Sequence, residues 1–180
     1  MKPKVSRRIR QLLKRHNQGI KLDLGCGENK QPGFIGMDLR KLKNVDIVHN
    51  VEKFPFPFPD ESCSIVLASH LIEHIKPWLM LKLMDEVWRI MKTGGQFWLA
   101  LPYALSFGFC QDPTHCNPCN EATWTYFDPE YPLYEVYRPR PWRIERNIFQ
   151  FNGNMEVILE KRPGNYVGRF SKPKGVSHGK

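Results

Sequence analysis

The alternation of apolar and polar positions in the first seventy residues predicts short buried strands separated by turns. Residues 20–24 alternate isoleucine and leucine with polar residues, which is the two-residue repeat of a strand. Further apolar runs cover residues 34–38 and 44–50. Residues 64–69 are almost continuously apolar, which is typical of a central strand buried on both faces. We therefore predict four strands in this part of the chain.

Apolar residues three and four positions apart predict two helices. Residues 5–16 form a basic amphipathic segment, which we expect to pack on the sheet as a short helix. A second helix is predicted from Pro77 to Met91, ended by Gly94 and the glycine after it, and residues 96–101 follow as a fifth strand. Strands that alternate with helices indicate a parallel sheet.

The C-terminal third predicts a hairpin followed by a tail. Residues 142–151 and 155–161 are strand-like, and Asn152-Gly153 between them is a strong hairpin turn. This antiparallel pair would complete an open, twisted, mostly parallel α/β sheet. From residue 163 onward Gly, Ser, Lys and Pro dominate, which predicts a flexible basic tail over residues 163–180.

Composition is that of one globular domain. The chain has 180 residues, and a hydrophobic fraction of 41% excludes wholesale disorder. There is no apolar run of membrane-spanning length, and the charged N-terminus lacks the apolar segment of a signal peptide. Five irregularly spaced cysteines favour reduced thiols. We therefore expect a cytoplasmic protein without a membrane partner.

The net charge of +9 is concentrated at the two ends. Residues 1–16 and 161–180 carry 13 basic residues and no acid, which leaves 14 basic against 18 acidic residues between them. These ends either keep the protein soluble or contact RNA, DNA or another polyanion.

A glycine turn follows the first predicted strand. Gly25 and Gly27 come directly after it, and glycine allows both positive φ and the close approach of a ligand to the backbone. The next strand ends in Asp38, whose carboxylate can accept both hydroxyls of a ribose. A dinucleotide fingerprint would need a third glycine at position 30, where this chain has Lys30, so NAD is disfavoured.

Three stretches in this order resemble class I S-adenosylmethionine-dependent methyltransferases. They are the acid-x-Gly-x-Gly turn beginning at Asp23, the segment 50–62, and the segment 69–74 after the fourth strand. The resemblance implies a Rossmann-like sheet. Only residues 28–33 separate the first two strands, so the first crossover helix must be reduced or lost. This is similar to a compact branch of the family, the methyltransferase type 11 proteins.

The resemblance implies S-adenosyl-L-methionine as cofactor and a set of binding residues. The glycine turn would hold the methionine and ribose side of the cofactor. Asp38 would accept the ribose hydroxyls, and Leu39 would contact the adenine. Asp23 would orient the turn or bond the methionine amine through water. Asn50 either accepts from the adenine amine or is a strand-end turn residue. The implied set is Asp23, Gly25, Cys26, Gly27, Asp38, Leu39, Asn50, Val51 and His70.

Residues 102–141, rich in Pro, Tyr, Trp and Phe, leave the carboxyl end of the fifth strand. We expect this insertion to cap the active site and to bind the substrate. It belongs to a predicted methyltransferase domain over residues 20–162, which follows a basic helical segment over residues 1–19. A base is needed only if the acceptor arrives protonated. His115 is the first candidate and His70 the second, although a structural role is the commoner one for any single histidine.

Two patterns resemble metal sites. His70, Glu73 and His74 have metal-like spacing, but the family has Glu-His here without a metal, so Glu73 and His74 are interpreted as structural. Cys116 and Cys119 have the spacing of half a zinc site, which Cys110 or His115 could complete. Free thiols are the favoured interpretation, and no metal is expected.

The resulting prediction is in-line methyl transfer from S-adenosylmethionine to an N, O or C atom of an unidentified acceptor. Two alternatives remain open. One is a protein with the same fold that binds the nucleoside without transferring methyl, and the other is a polyanion-binding module that uses the basic termini. A monomer or weak dimer is expected.

Overall fold

The computed structural model describes residues 5–171. Within them, seven strands form one sheet, namely β1 (Ile20–Leu24), β2 (Ile35–Asp38), β3 (Ile47–Val48), β4 (Cys63–Ser69), β5 (Met91–Pro102), β6 (Trp142–Phe149) and β7 (Asn154–Lys161). Their spatial order is β3-β2-β1-β4-β5-β7-β6. The pairs among β1 to β5 are parallel, and β7 runs antiparallel to both β5 and β6. The predicted α/β fold, mostly parallel with a C-terminal antiparallel hairpin, is confirmed.

The strand order reverses direction at β1, between β2 and β4. The chain moves outward from β1 through β2 to β3 and then returns to place β4 on the other side of β1. At such a switch point, the connections that leave the carboxyl ends of neighbouring strands diverge and open a crevice. No helix lies between β1 and β2, as the short connection predicted.

Five α-helices are present in the described residues, namely α1 (Arg7–Arg15), α2 (Met80–Ile90), α3 (Phe107–Cys110), α4 (Glu121–Thr125) and α5 (Tyr134–Tyr137). The side chain of Ser6 caps α1 by accepting from the Ile9 amide, and Ile9 is buried. The predicted helix over residues 5–16 is confirmed with slightly shorter bounds. Two single 3₁₀ turns, Ile72–His74 and Pro77–Leu79, connect β4 to α2.

The junction of α2 and β5 differs from the prediction. The helix ends at Ile90, and β5 begins at once with Met91, so the prediction that Gly94 and the next glycine end the helix is wrong. Met91 is fully buried and pairs with Cys63 of β4, which draws the chain into the sheet before the glycines. A register shift between Cys63 and Ile65 accommodates the extra residues, with Gly94 at φ +78.

The Phe/Pro loop before β4 packs inward. Phe56 and Phe58 are completely buried. Proline supplies no backbone donor, so the loop depends on few hydrogen bonds. The Phe56 amide donates to the Glu86 carboxylate of α2, and Arg89 of α2 donates to the Phe58 carbonyl at 3.0 Å. These contacts attach the loop to α2.

The C-terminal hairpin closes at the predicted turn, where Gly153 has φ +87. Residues 163–171, the first half of the segment predicted to be a flexible tail, lie against the loop before α5. Here the Tyr166 hydroxyl donates to Glu130 at 2.7 Å and the Phe170 amide to the Pro129 carbonyl at 2.9 Å. The other half of the predicted tail, residues 172–180, lies outside the described residues.

No helix within residues 5–171 is both long enough and apolar enough to cross a membrane.

The hairpin provides a test of the core. Leu159 of β7 is fully buried between Phe97 and Ile144, whereas Ile148 of β6 is 45% exposed. We expect Leu159→Ala to lower the free energy of unfolding by about 2–5 kcal/mol, because it leaves a cavity that the sheet cannot close. The matched Ile148→Ala should cost less than about 1 kcal/mol. Urea denaturation measures both, and equal losses would contradict the described packing of β7.

Candidate active site

The glycine turn after β1 is attached to the end of β2. Gly25 and Gly27 have φ +66 and +53, and the Gly25 amide donates to the Met37 carbonyl at 2.8 Å. A Cβ on Gly25 would lie 2.8 Å from Cδ1 of Leu71, in the turn after β4. The backbone conformation therefore favours glycine at position 25, and the Leu71 side chain would have to shift to admit a Cβ there.

Asp38 closes this turn from β2. One carboxylate oxygen accepts the Gly27 amide at 2.9 Å, and the other accepts the Arg40 amide at 2.8 Å. Burial alone would raise the pKa of Asp38, but these hydrogen bonds hold it below its ordinary value. The carboxylate is therefore charged at neutral pH. Because Nε of Arg40 also donates to Oδ1 at 3.3 Å, the lone pair left for a ligand hydroxyl is on Oδ2, which accepts the Gly27 amide.

Asp23, the last polar residue of β1, orients the connection to β2. Its carboxylate accepts the Gln31 amide at 2.8 Å, and the residue is only 4% exposed. Burial raises the pKa of Asp23. This contact orients the connection that follows the glycine turn, and a role of Asp23 in orienting the turn itself stays a prediction.

A cavity of about 390 Å³ opens beside the turn, at the carboxyl ends of β1 and β4. Its lining is Asp23, Gly25, Cys26, Asn29, Gln31, Leu67 and Ser69. The first three were predicted, and the last four were missed. Leu67 and Ser69 are two positions apart on β4 and so share a face, which is a signal that the sequence contained. Asn29 and Gln31 lie in an irregular connection without any periodic pattern.

The remaining predicted cofactor residues lie outside this cavity lining. Leu39 follows Asp38 and is 63% exposed, so its side chain is accessible to a ligand. Asn50 uses its side-chain oxygen to accept the Glu52 amide at 2.8 Å, so it has the alternative role of a turn residue. Val51 packs against the core. The His49 amide donates to the Asp38 carbonyl at 2.9 Å, which holds the loop after β3 close to Asp38.

A second, larger cleft of about 770 Å³ adjoins the first. Its walls are the turn after β4, the end of β5 with α3 and the loop that follows, and the β6–β7 turn. Ser69 lines the smaller cavity and the next residue, His70, lines the cleft, so His70 lies at the boundary and outside the smaller cavity. The segment predicted to cap the site supplies one wall of this cleft.

Comparisons with known proteins agree with this geometry. Residues 22–99 match a family model described as a methyltransferase domain. A protein of Mycolicibacterium smegmatis named "Probable S-adenosylmethionine-dependent methyltransferase" is 24% identical over 166 residues, covering 81% of this chain and 60% of that protein. The chain thus spans about 60% of the length of this relative.

Solved structures give the same result for the fold. A SAM-dependent methyltransferase from Archaeoglobus fulgidus has a TM-score of 0.59 at 17% identity, covering 84% of this chain and 94% of that one. One from Aquifex aeolicus has a TM-score of 0.51 at 15% identity, covering 83% and 87%. The resemblance to class I S-adenosylmethionine-dependent methyltransferases is confirmed.

The two candidate catalytic histidines line the same cleft. The His70 side chain is 55% exposed, and its Nδ1 lies 3.2 Å from a carboxylate oxygen of Glu73, a contact that raises the pKa of His70. The His115 side chain is 8% exposed, with Nδ1 held 2.9 Å from the Phe109 carbonyl. His70 is thus the more accessible of the two to a molecule in the cleft.

All five cysteines of the fold are free thiols. Cys119 is buried and donates to the Asn117 carbonyl, and Cys116 donates to the Ile75 carbonyl. Among residues 5–171, the side chains that group as potential metal ligands are Glu73, His74 and His115, and no cysteine belongs to such a group. The thiols are therefore not brought together within the described residues in the way that their spacing suggested.

Cys26 in the glycine turn gives a chemical test of the site. Burial, reinforced by the negative charges of Asp23 and Asp38, raises the pKa of the Cys26 thiol to about 11. Only the thiolate is alkylated, so we expect Cys26 to react slowly near pH 7 and about a hundredfold faster near pH 9. Peptide mapping after iodoacetamide treatment measures the rate. The exposed Cys110 and Cys116 serve as internal references, and labelling of Cys26 as fast as theirs at pH 7 would contradict the described environment.

Proposed function

We propose that this protein is an S-adenosylmethionine-dependent methyltransferase that acts on an acceptor bound in the 770 Å³ cleft. The observation that carries the proposal is the charged Asp38 carboxylate, which closes the glycine turn at the carboxyl edge of the sheet beside the 390 Å³ cavity. The family-model match over residues 22–99 supports the same activity.

The residues present fit this cofactor. Gly25 lines the 390 Å³ cavity with backbone alone, so the methionine side can contact the turn directly. Asp38 would accept one ribose hydroxyl at Oδ2, and it would accept the other at Oδ1 once the exposed Arg40 side chain moves off that oxygen. The exposed Leu39 would contact the adenine. Asn50 remains a proposed contact to the adenine amine, through the capacity that its carbonyl retains after accepting the Glu52 amide.

The cofactor supplies an electrophilic methyl group on a sulfonium, so the acceptor attacks in line and no covalent enzyme intermediate is needed. The chain's own task is to hold the acceptor atom in line and to exclude water. The turn after β4 lies where the two cavities meet. His70 in this turn can take a proton from an acceptor that arrives protonated, and the enclosed His115 is the second candidate.

The acceptor and the partners stay predictions. Acceptors with an N, O or C nucleophile all remain possible. Nucleic acid is one candidate, because α1 presents several exposed basic side chains. The cytoplasmic location and the monomeric or weakly dimeric state are likewise predictions.

Binding of S-adenosylhomocysteine tests the proposal without knowledge of the acceptor. Calorimetric titration of the full chain should show saturable binding at one site. Asp38→Asn keeps the size of the side chain and removes its charge. We expect it to weaken binding tenfold or more, because a hydrogen bond to a charged group contributes about 1.5–3 kcal/mol.

Asp128→Asn is a matched control for charge removal. Like Asp38, Asp128 accepts two backbone amides, those of Glu130 at 3.1 Å and Ile144 at 3.0 Å, but it lies far from the glycine turn, in the loop between α4 and α5. This variant should bind S-adenosylhomocysteine with an affinity within a few fold of that of the wild-type protein. No binding by folded wild-type protein would refute the proposal. Tight binding combined with no methyl transfer to any acceptor class would instead favour the nucleoside-binding alternative.

The glycine turn allows a second test. Gly25→Ala and Gly94→Ala both place alanine at a positive φ, so each should cost about 1 kcal/mol or more of stability. Gly94 has no atom within 4 Å of its added Cβ and lies at the amino end of β5, away from the site. We expect only Gly25→Ala to abolish binding of S-adenosylhomocysteine in calorimetry. Equal effects of the two variants on affinity would show that the turn does not contact the ligand.

A further inference from the structure

Three side chains with metal-ligating chemistry meet in the wall of the larger cleft. Glu73 and His74 lie on the 3₁₀ turn after β4, and His115 lies in the loop after α3. One donor atom from each lies within 4.8 Å of those of the other two. The methyl transfer proposed above does not need Glu73 or His74, so their placement calls for another explanation.

Glu73 provides the first reason to expect an ion. The residue is completely buried, and one carboxylate oxygen contacts His70. The other oxygen, Oε2, is buried and has no hydrogen-bond partner. A buried carboxylate oxygen without a partner costs free energy, which a cation bound to it would recover.

Each of the two histidines is held by one ring nitrogen, which leaves the other nitrogen free to bind a metal ion. His115 Nδ1 faces the Phe109 carbonyl at 2.9 Å, and a carbonyl can only accept, so Nδ1 carries the proton and Nε2 keeps its lone pair. His74 Nδ1 lies 3.0 Å from the Thr114 hydroxyl. Metal-ligating histidines are oriented in this way, by donating their second nitrogen to an oxygen.

Thr114 connects His74 to a second carboxylate, that of Asp112. Its hydroxyl donates to Asp112 at 2.7 Å, so the hydroxyl oxygen must accept from His74 Nδ1, and His74 Nε2 is left unprotonated. The other oxygen of Asp112 lies 3.8 Å from Nε2 of His115. Asp112 therefore fixes the tautomer of His74 and adds negative charge beside the cluster.

We propose that Glu73, His74 and His115 bind a divalent transition metal ion, with Zn²⁺ as the best match. Two imidazoles and one carboxylate form a three-ligand set that Zn²⁺ uses when a further position stays open to solvent or substrate. Mg²⁺ and Ca²⁺ prefer oxygen ligands alone and fit less well. The open position faces the acceptor cleft, so an oxygen or nitrogen of a bound molecule can complete the coordination.

The nearby cysteines do not provide an alternative ligand set. Cys116 and Cys119 direct their thiols at backbone carbonyls, and Cys110 is not among the grouped ligands. The proposed ion would make His115 a ligand, which leaves His70 as the histidine available to an acceptor. The site itself does not depend on the methyltransferase proposal, because its test measures metal binding alone.

The test is titration of the chelator-treated full chain with Co²⁺, a spectroscopic substitute for Zn²⁺. We expect one equivalent to bind and to produce visible d–d bands without a thiolate-to-cobalt charge-transfer band. Addition of Zn²⁺ should displace the Co²⁺. Failure to bind either ion, or a thiolate band that reports cysteine ligands, would overturn the assignment.

Variants locate the site. His115→Asn should weaken binding at least tenfold, and Thr114→Val should weaken it by about 10–100-fold, because His74 loses its orienting partner. His49→Asn is the matched control, since the His49 imidazole bonds the Lys53 carbonyl and does not line the cleft. Thermal melting confirms that each variant is folded. Binding that is unchanged in His115→Asn, or weakened equally in His49→Asn, would overturn the proposal.

Discussion

Parallel pairing of β1 with β2 on one side and β4 on the other is the constraint on which both cavities depend. Parallel strands present their carboxyl ends at one edge of the sheet, so the turns that follow them meet there. The glycine turn, Asp38 and the turn after β4 come together for this reason. Leu71 of the last turn approaches Gly25 so closely that its side chain would have to shift to admit a Cβ there.

The short connection between β1 and β2 removes the helix whose dipole would normally support a bound anion or nucleoside. In place of that helix, hydrogen bonds and ion pairs hold the connection between β1 and β2 in position. Asp46 accepts the Gly36 amide at 2.9 Å and pairs with Lys30 at 2.8 Å, while Asp23 accepts the Gln31 amide. Burial would raise the pKa of Asp46, but these contacts hold it below its ordinary value, so the ion pair persists at neutral pH. The loop is thus positioned by side chains instead of by a helix.

The carboxyl edge is divided at Ser69. On one side lies the small cavity beside the glycine turn, which Asp38 closes from β2. On the other side lies the larger cleft, whose lining includes three histidines and two carboxylates. This division fits a two-substrate reaction, with one molecule on each side and His70 at the boundary. The proposed metal ligands Glu73, His74 and His115 all lie on the cleft side of this division, and none of them lines the smaller cavity.

The sequence alone determined the strand alternation, the glycine turn, Asp38 and the closing hairpin, because each depends on residues close together along the chain. It misplaced the end of α2, because the pairing of Met91 with Cys63 is a contact between distant segments. Only the tertiary structure decided how Glu73 and His74 relate to His115. Loop packing brings these residues together across about forty positions of sequence, and neither periodicity nor spacing encodes the distance between two loops that meet in space.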